Sequence, residues 1–212
     1  MKTDDLIQAL GADAKATPVR RRPTWMPAAI AAAAIAAAVF FSTIGPRPDI
    51  AQTAHTMRFL FKFVFTAVLL ASAFPLARIL SVPGARVGGA MLRLLAAPLL
   101  MAGALALEMM AVPSADWMPR LVGHNMPVCL SMIPLIGLGP LVVFIAVLRH
   151  GAPTRPALAG AVAGLAAGGL AATFYAAHCT DDSPLFVAAW YTIAIAFLAG
   201  LGALGGRVFA RW

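Results

Sequence analysis

Six apolar stretches, each close to the roughly 20 residues a helix needs to cross a hydrocarbon layer, dominate this sequence. They fall at 25–44, 59–80, 92–112, 127–148, 157–177 and 185–206, separated by short connectors rich in Pro, Gly and charge. In lipid, runs of this length satisfy their own backbone groups as helices. The expectation is therefore an all-α membrane protein, a bundle of six transmembrane helices. Composition agrees: 11% of the residues are charged and 61% hydrophobic, whereas an ordinary soluble domain is about a quarter charged. The polar leader is too long, and the first apolar run too extended, for a cleavable signal. The chain divides into a cytoplasmic segment, 1–24, and a transmembrane domain, 25–212.

Lysine and arginine give the orientation. With the N-terminus in the cytoplasm, Lys2, Lys15, Arg20, Arg21, Arg22, Arg78, Arg86, Arg93, Arg149, Arg155, Arg207 and Arg211 lie inside, while Arg47, Arg58, Lys62 and Arg120 lie outside. Twelve against four selects both termini in the cytoplasm (N-in, C-in) under the positive-inside rule. The formal charge of +8 is spread between apolar runs, which suits anionic lipid headgroups and excludes a direct nucleic-acid face. The stretch MKTDDLIQALG reads as a short amphipathic helix. Thr3 caps it, Asp4 and Asp5 suit its positive end, Leu6, Ile7 and Leu10 share a face, and Gly11 stops it. Two turns do not hold themselves together in water, so the segment is suited to fold in a partner's groove. Its acidic face argues against lying on an anionic leaflet.

Within the spans, Gly160, Gly164 and Gly168, then Gly202 and Gly206, repeat at the four-residue spacing that lets helices approach closely. The unusual chemistry gathers at the outer level. His124 and Cys129 stand at the mouth of the fourth span, and His178, Cys179, Asp181 and Asp182 between the fifth and sixth. Lys62 and Glu108 sit about a turn inside the membrane, where an ionisable group is paired or functional; an ion pair between them is the plain structural expectation. Asp182-Ser183-Pro184 suits a turn and helix cap, which claims at least one aspartate. Cys129 and Cys179 are either packed small residues or the sulfur half of a sensing site. Two thiols on an oxidising face can form a disulfide. With His178, His124 and Asp181 as weaker partners, they are also donors for transient Cu, Cd or Zn. No constitutive cofactor is expected. No Walker loop, dinucleotide fingerprint, HExxH or GxSxG is present, so no enzyme is expected on those motifs. A small metal transporter is the alternative, although the midplane is nearly all Ala, Leu, Val and Gly; a thiol oxidoreductase is disfavoured by the lack of CxxC.

The opening MKTDDLIQAL, the basic VRRRP before the first span, and HCTDDSPLFVAAWY leading into the last resemble the NrsF family. These negative regulators of sigma F are multi-pass anti-sigma factors of the bacterial inner membrane. The resemblance implies that the N-terminal segment sequesters an extracytoplasmic-function sigma factor through Lys2, Thr3, Asp4, Asp5, Leu6, Ile7 and Leu10. It also implies that Cys129 and Cys179 sense heavy-metal or redox stress and trigger release.

Overall fold

The computed structural model describes residues 3–15 and 25–210, and these contain helices and no strand. Among the described residues, six helices are long and apolar enough to cross a membrane: Trp25–Thr43, Met57–Leu80, Gly88–Ala111, Met126–Arg149, Pro156–Ala176 and Pro184–Phe209. They correspond one to one with the apolar runs. The third departs most, beginning at Gly88 and breaking at Leu95 between Gly88–Leu94 and Ala96–Ala111. Pro98 explains the break, because it lacks an N–H and its ring crowds the carbonyl four residues back, on Leu94.

The fifth span is the centre of the bundle. It is 61% buried, against 22% for the first and 17% for the third, and it packs on the second, fourth and sixth. Small residues make this possible. A Cβ on Gly160 would collide with the Gly202 carbonyl, and one on Gly164 with the Leu198 carbonyl. The close approach expected from the glycine spacing is thus present between the fifth and sixth helices, backbone against backbone. The first span buries Trp25, Ala28, Ala32, Ala36 and Phe40, every fourth residue or nearly so, chiefly against the fourth span. Ala31, Ala34 and Ala38 of its alanine run are exposed, and Ala29, Ala33 and Ala37 are half-buried. Met26, Ile30 and Phe41 on this span, and Leu99, Leu107 and Met110 on the third, are exposed apolar side chains, as a lipid-facing surface requires.

The sixth span opens on a cap and an irregularity. Ser183 Oγ accepts the Leu185 N–H at 3.3 Å with Pro184 in the first turn, and a π-helical segment, Val187–Tyr191, follows before the regular helix resumes. The helical N-terminal segment runs Thr3–Lys15, so Gly11 does not stop it. Flanking alanines carry the helix through, since one interior glycine costs only about 1 kcal/mol. Leu6 and Ile7 are 43% and 62% exposed. Lys2 and the side chain of Leu10 lie outside the described residues.

Candidate functional site

One end of the bundle is closed by a polar layer built from the connector after the first span, the tops of the second, third and fourth spans, and the loop joining the fifth to the sixth. Two cations meet at the Cys179 carbonyl. Lys62 is fully buried; its Nζ donates to Cys179 O at 2.8 Å and pairs with Asp182. Arg47 reaches the same carbonyl at 3.2 Å and the Asp182 carboxylate at 3.2 and 3.3 Å, while its Nε and second terminal nitrogen each donate to Asp49 at 2.7 Å. Lys62 also lies 5.1 Å from the centre of the Phe59 ring. The Arg47 guanidinium holds the Asp49 carboxyl below its ordinary value, and the Asp49 hydrogen bond in turn raises Arg47.

Glu108 occupies a separate pocket of the layer. Only 5% exposed, it accepts from Arg58 at 2.9 and 3.1 Å, from Arg120 at 3.1 Å and from Ser183 Oγ at 3.3 Å. The expected Lys62–Glu108 ion pair is therefore corrected: each has other partners. Arg58 precedes Lys62 by one helical turn, nearer the polar end, and it is Arg58 that meets Glu108. Lys62 points inward to the loop between the fifth and sixth spans.

Asp181 is also fully engaged. Its Oδ2 accepts the backbone N–H groups of His124 and Asn125 at 2.9 and 2.8 Å and the Asn125 amide at 2.9 Å. It thereby brackets the start of the fourth span onto the neighbouring loop. Gly123, with φ of 60°, is required here, because a Cβ would strike the Asp181 carboxyl and the Phe186 ring. The expectation that an aspartate caps the sixth helix is corrected as well. Ser183 is the cap, Asp182 serves Lys62 and Arg47, and Asp181 serves the fourth span.

Cys129 and Cys179 are both fully buried, carry free thiols, and belong to one continuous core. The Cys129 N–H donates to Asn125 O at 2.8 Å, and the Asn125 amide donates to Thr180 and Asp181, so the loop carrying Cys179 is held against the turn that begins the helix of Cys129. Burial pushes the Cys179 thiol above its ordinary value, and the nearby Lys62 charge opposes that shift. Tyr175 and Tyr191 pack in the same core with ring centroids 5.6 Å apart. The Tyr175 hydroxyl donates to Asn125 O at 3.4 Å, whereas the buried Tyr191 hydroxyl has no hydrogen-bond partner among the described residues.

The histidines do not join the sulfurs. His124 is 97% exposed, its Nδ1 lying 3.7 Å from Asp181. The His178 ring nitrogen Nδ1 is hydrogen-bonded to Gly45 O at 2.9 Å. Among the described residues, no group of three or more His, Cys, Asp or Glu side chains is arranged to hold a metal ion. The donors present do not form a ready-made metal cage; both thiols lie buried in the core beside a layer of ion pairs. Sequence reasoning placed Arg47 only as an outer charge and missed its role. The signal was the GPRPD stretch, in which a glycine after a helix and two prolines fix the position of one arginine.

The chain is similar to known proteins over essentially its whole length. The family model described as "Negative regulator of sigma F" (NrsF) matches residues 10–212. The anti-sigma-F factor NrsF of Caulobacter vibrioides is 32% identical over 216 residues, covering 100% of both chains. The probable anti-sigma-F factor NrsF of Azospira oryzae is 32% identical over 219 residues, again covering 100% of each. No solved structure gives a significant match.

Proposed function

This chain belongs to the NrsF family, and we propose that it is an anti-sigma factor of the bacterial inner membrane that holds an extracytoplasmic-function sigma factor until stress reaches its outer face. The observation that carries the reading is full-length similarity to two anti-sigma-F factors. The N-terminal helix supports it. At 13 residues it is near the lower limit for a helix that holds itself together in water, and Leu6 and Ile7 present apolar side chains to whatever binds. Thr3, Asp4 and Asp5 start that helix, and the acidic pair complements a basic, nucleic-acid-binding partner. Lys2 and Leu10 complete the docking segment.

Charge supports the orientation with both termini in the cytoplasm. Arg47, Arg58, Lys62 and Arg120 are all ion-paired at the polar layer. Arg78, Arg86, Arg93, Arg149, Arg155 and Arg207 make no ion pair with any described residue, which suits the anionic inner leaflet.

In this reading Cys129 and Cys179 are the sensor. Either a soft cation such as Cd or Cu binds both sulfurs as their protons leave, or the two thiols pass two electrons and two protons to an external oxidant and join as a disulfide. Both reactions act on the loop carrying Cys179 and the top of the fourth span, and so favour a second arrangement of the bundle. A hundredfold loss of sigma-factor affinity needs about 2.7 kcal/mol of differential stabilisation.

Co-purification from native membranes tests the proposal, comparing wild type, Leu6→Asp/Ile7→Asp and Cys129→Ser/Cys179→Ser with and without added Cd. Wild type is expected to retain a sigma factor, the first variant to lose it, and the second to keep it despite Cd. Failure of wild type to retain any sigma factor overturns the reading, and Cd-dependent flux of the metal would establish a transporter instead.

A further inference from the structure

The first span is tied directly to the Cys179 loop, and the tie is short and stiff. The helix ends where the N–H groups of Ile44 and Gly45 both reach the Phe40 carbonyl, at 3.1 and 2.9 Å, with Gly45 at φ of 60°. That left-handed turn is one glycine adopts without strain. Pro46 and Pro48 then fix φ on either side of Arg47. From this strap, the hydrogen bonds that Gly45 and Arg47 make to distant parts of the chain go to the loop joining the fifth and sixth spans. The Arg47 N–H donates to Ala177 O at 3.0 Å, His178 is hydrogen-bonded to Gly45 O at 2.9 Å, and the Arg47 guanidinium holds the Cys179 carbonyl and Asp182. Arg47 is 7% exposed, so these bonds are shielded from competing water.

We propose that Arg47 is the positioning residue that transmits a change at Cys179 to the first span, the helix whose other end leads back to the N-terminal segment. This rests on the sensing role proposed for the cysteines and adds the route. The first span packs chiefly on the fourth, whose outer portion carries Cys129. It is therefore gripped from both sides of the sulfur pair, along its length through Cys129's helix and at its tip through Arg47. A movement of the Cys179 loop relative to the fourth span cannot leave the strap in place without breaking its hydrogen bonds. Loss of the guanidinium leaves both sulfurs intact and cuts the tie.

The test uses the full-length protein with its sigma factor, purified from membranes, as wild type and Arg47→Met. Two quantities are read: Cd bound per protein, compared with that bound by Cys129→Ser/Cys179→Ser, and the ratio of sigma-factor release with Cd to release without it. Wild type is expected to show a ratio in the roughly 5- to 150-fold range usual for coupled sites. Arg47→Met is expected to keep the cysteine-dependent Cd binding while its ratio falls to near one. A purely structural role would not separate the two readouts. An unchanged ratio in Arg47→Met overturns the proposal while leaving the sensor reading intact; no response in wild type overturns both. Should Arg47→Met fail to fold, hydrogen exchange of the native protein decides. The Arg47 amide, flanked by two prolines, is expected to exchange faster on adding Cd in wild type and at an unaltered rate in Cys179→Ser. Unaltered exchange in wild type overturns the proposal.

Discussion

Lys62, fully buried, and Asp182, half-buried, form a pair whose members are not equivalent. Asp182 keeps Arg47 as a second partner, whereas Lys62 has no other carboxylate among the described ion pairs. Asp182→Ala therefore strands a buried cation and is expected to destabilise the protein by about 3–5 kcal/mol. Lys62→Met replaces the lysine with an apolar chain of similar reach and leaves Asp182 paired, at a cost nearer ~1 kcal/mol. Thermal unfolding in detergent gives the comparison, and equal losses would refute the assignment of partners. The Cys179 thiol adds a pH dependence. Its value lies above the ordinary 9.0, so past pH 9 the unfolded chain sheds a proton that the folded chain retains. Stability is then complete below pH 9 and falls as pH rises. The decline in melting temperature on going above pH 9 is expected to be shallower in Cys179→Ser. At this scale the sequence revealed which residues matter and not whom they touch. Lys62 and Glu108 stand at similar depth, but pairing depends on which way each helix face is turned. That is fixed by the packing of the fifth span.

Among the helices, hydropathy over long windows was enough to find all six, because the membrane forces one solution on a 20-residue apolar run. Ends and interruptions depend on local chemistry and were less legible. Gly11 reads as a stop yet lies within a helix, and the break ahead of Pro98 has a clear steric cause that span-finding ignores. The glycine pattern was legible because it repeats. Its consequence is specific: Gly164→Ala drives a Cβ into the Leu198 carbonyl, and an overpacked contact of this kind costs about 1–3 kcal/mol. Gly103 in the third span has open space around its added Cβ, so Gly103→Ala is expected to stabilise by roughly 0.5–1 kcal/mol. Opposite signs for the two alanines in one unfolding series are the expected result. The same sign would mean that the fifth and sixth helices are not in backbone contact.

Across the whole molecule, the described cations fall into two sets. Arg47, Arg58, Lys62 and Arg120 are ion-paired within the protein, whereas Arg78, Arg86, Arg93, Arg149, Arg155 and Arg207 make no ion pair with any described residue. With the proposed topology, a green fluorescent protein fused after Trp212 is expected to fluoresce and alkaline phosphatase fused there to stay inactive; the reverse would invert the bundle. The backbone contact of the fifth and sixth helices has a mechanical meaning too. Two helices whose carbonyls and α-carbons interlock cannot slide or roll independently, so they act as a single beam. The fifth helix has 21 residues, which at 1.5 Å per residue makes the beam about 32 Å long. A tilt of roughly 5° at the loop end then displaces the far end by about 3 Å, a distance comparable to a hydrogen bond. If the sensing role proposed for the cysteines holds, a shift of the loop at one end of this beam would reach the other end of the bundle by leverage, alongside the tie that Arg47 makes to the first span.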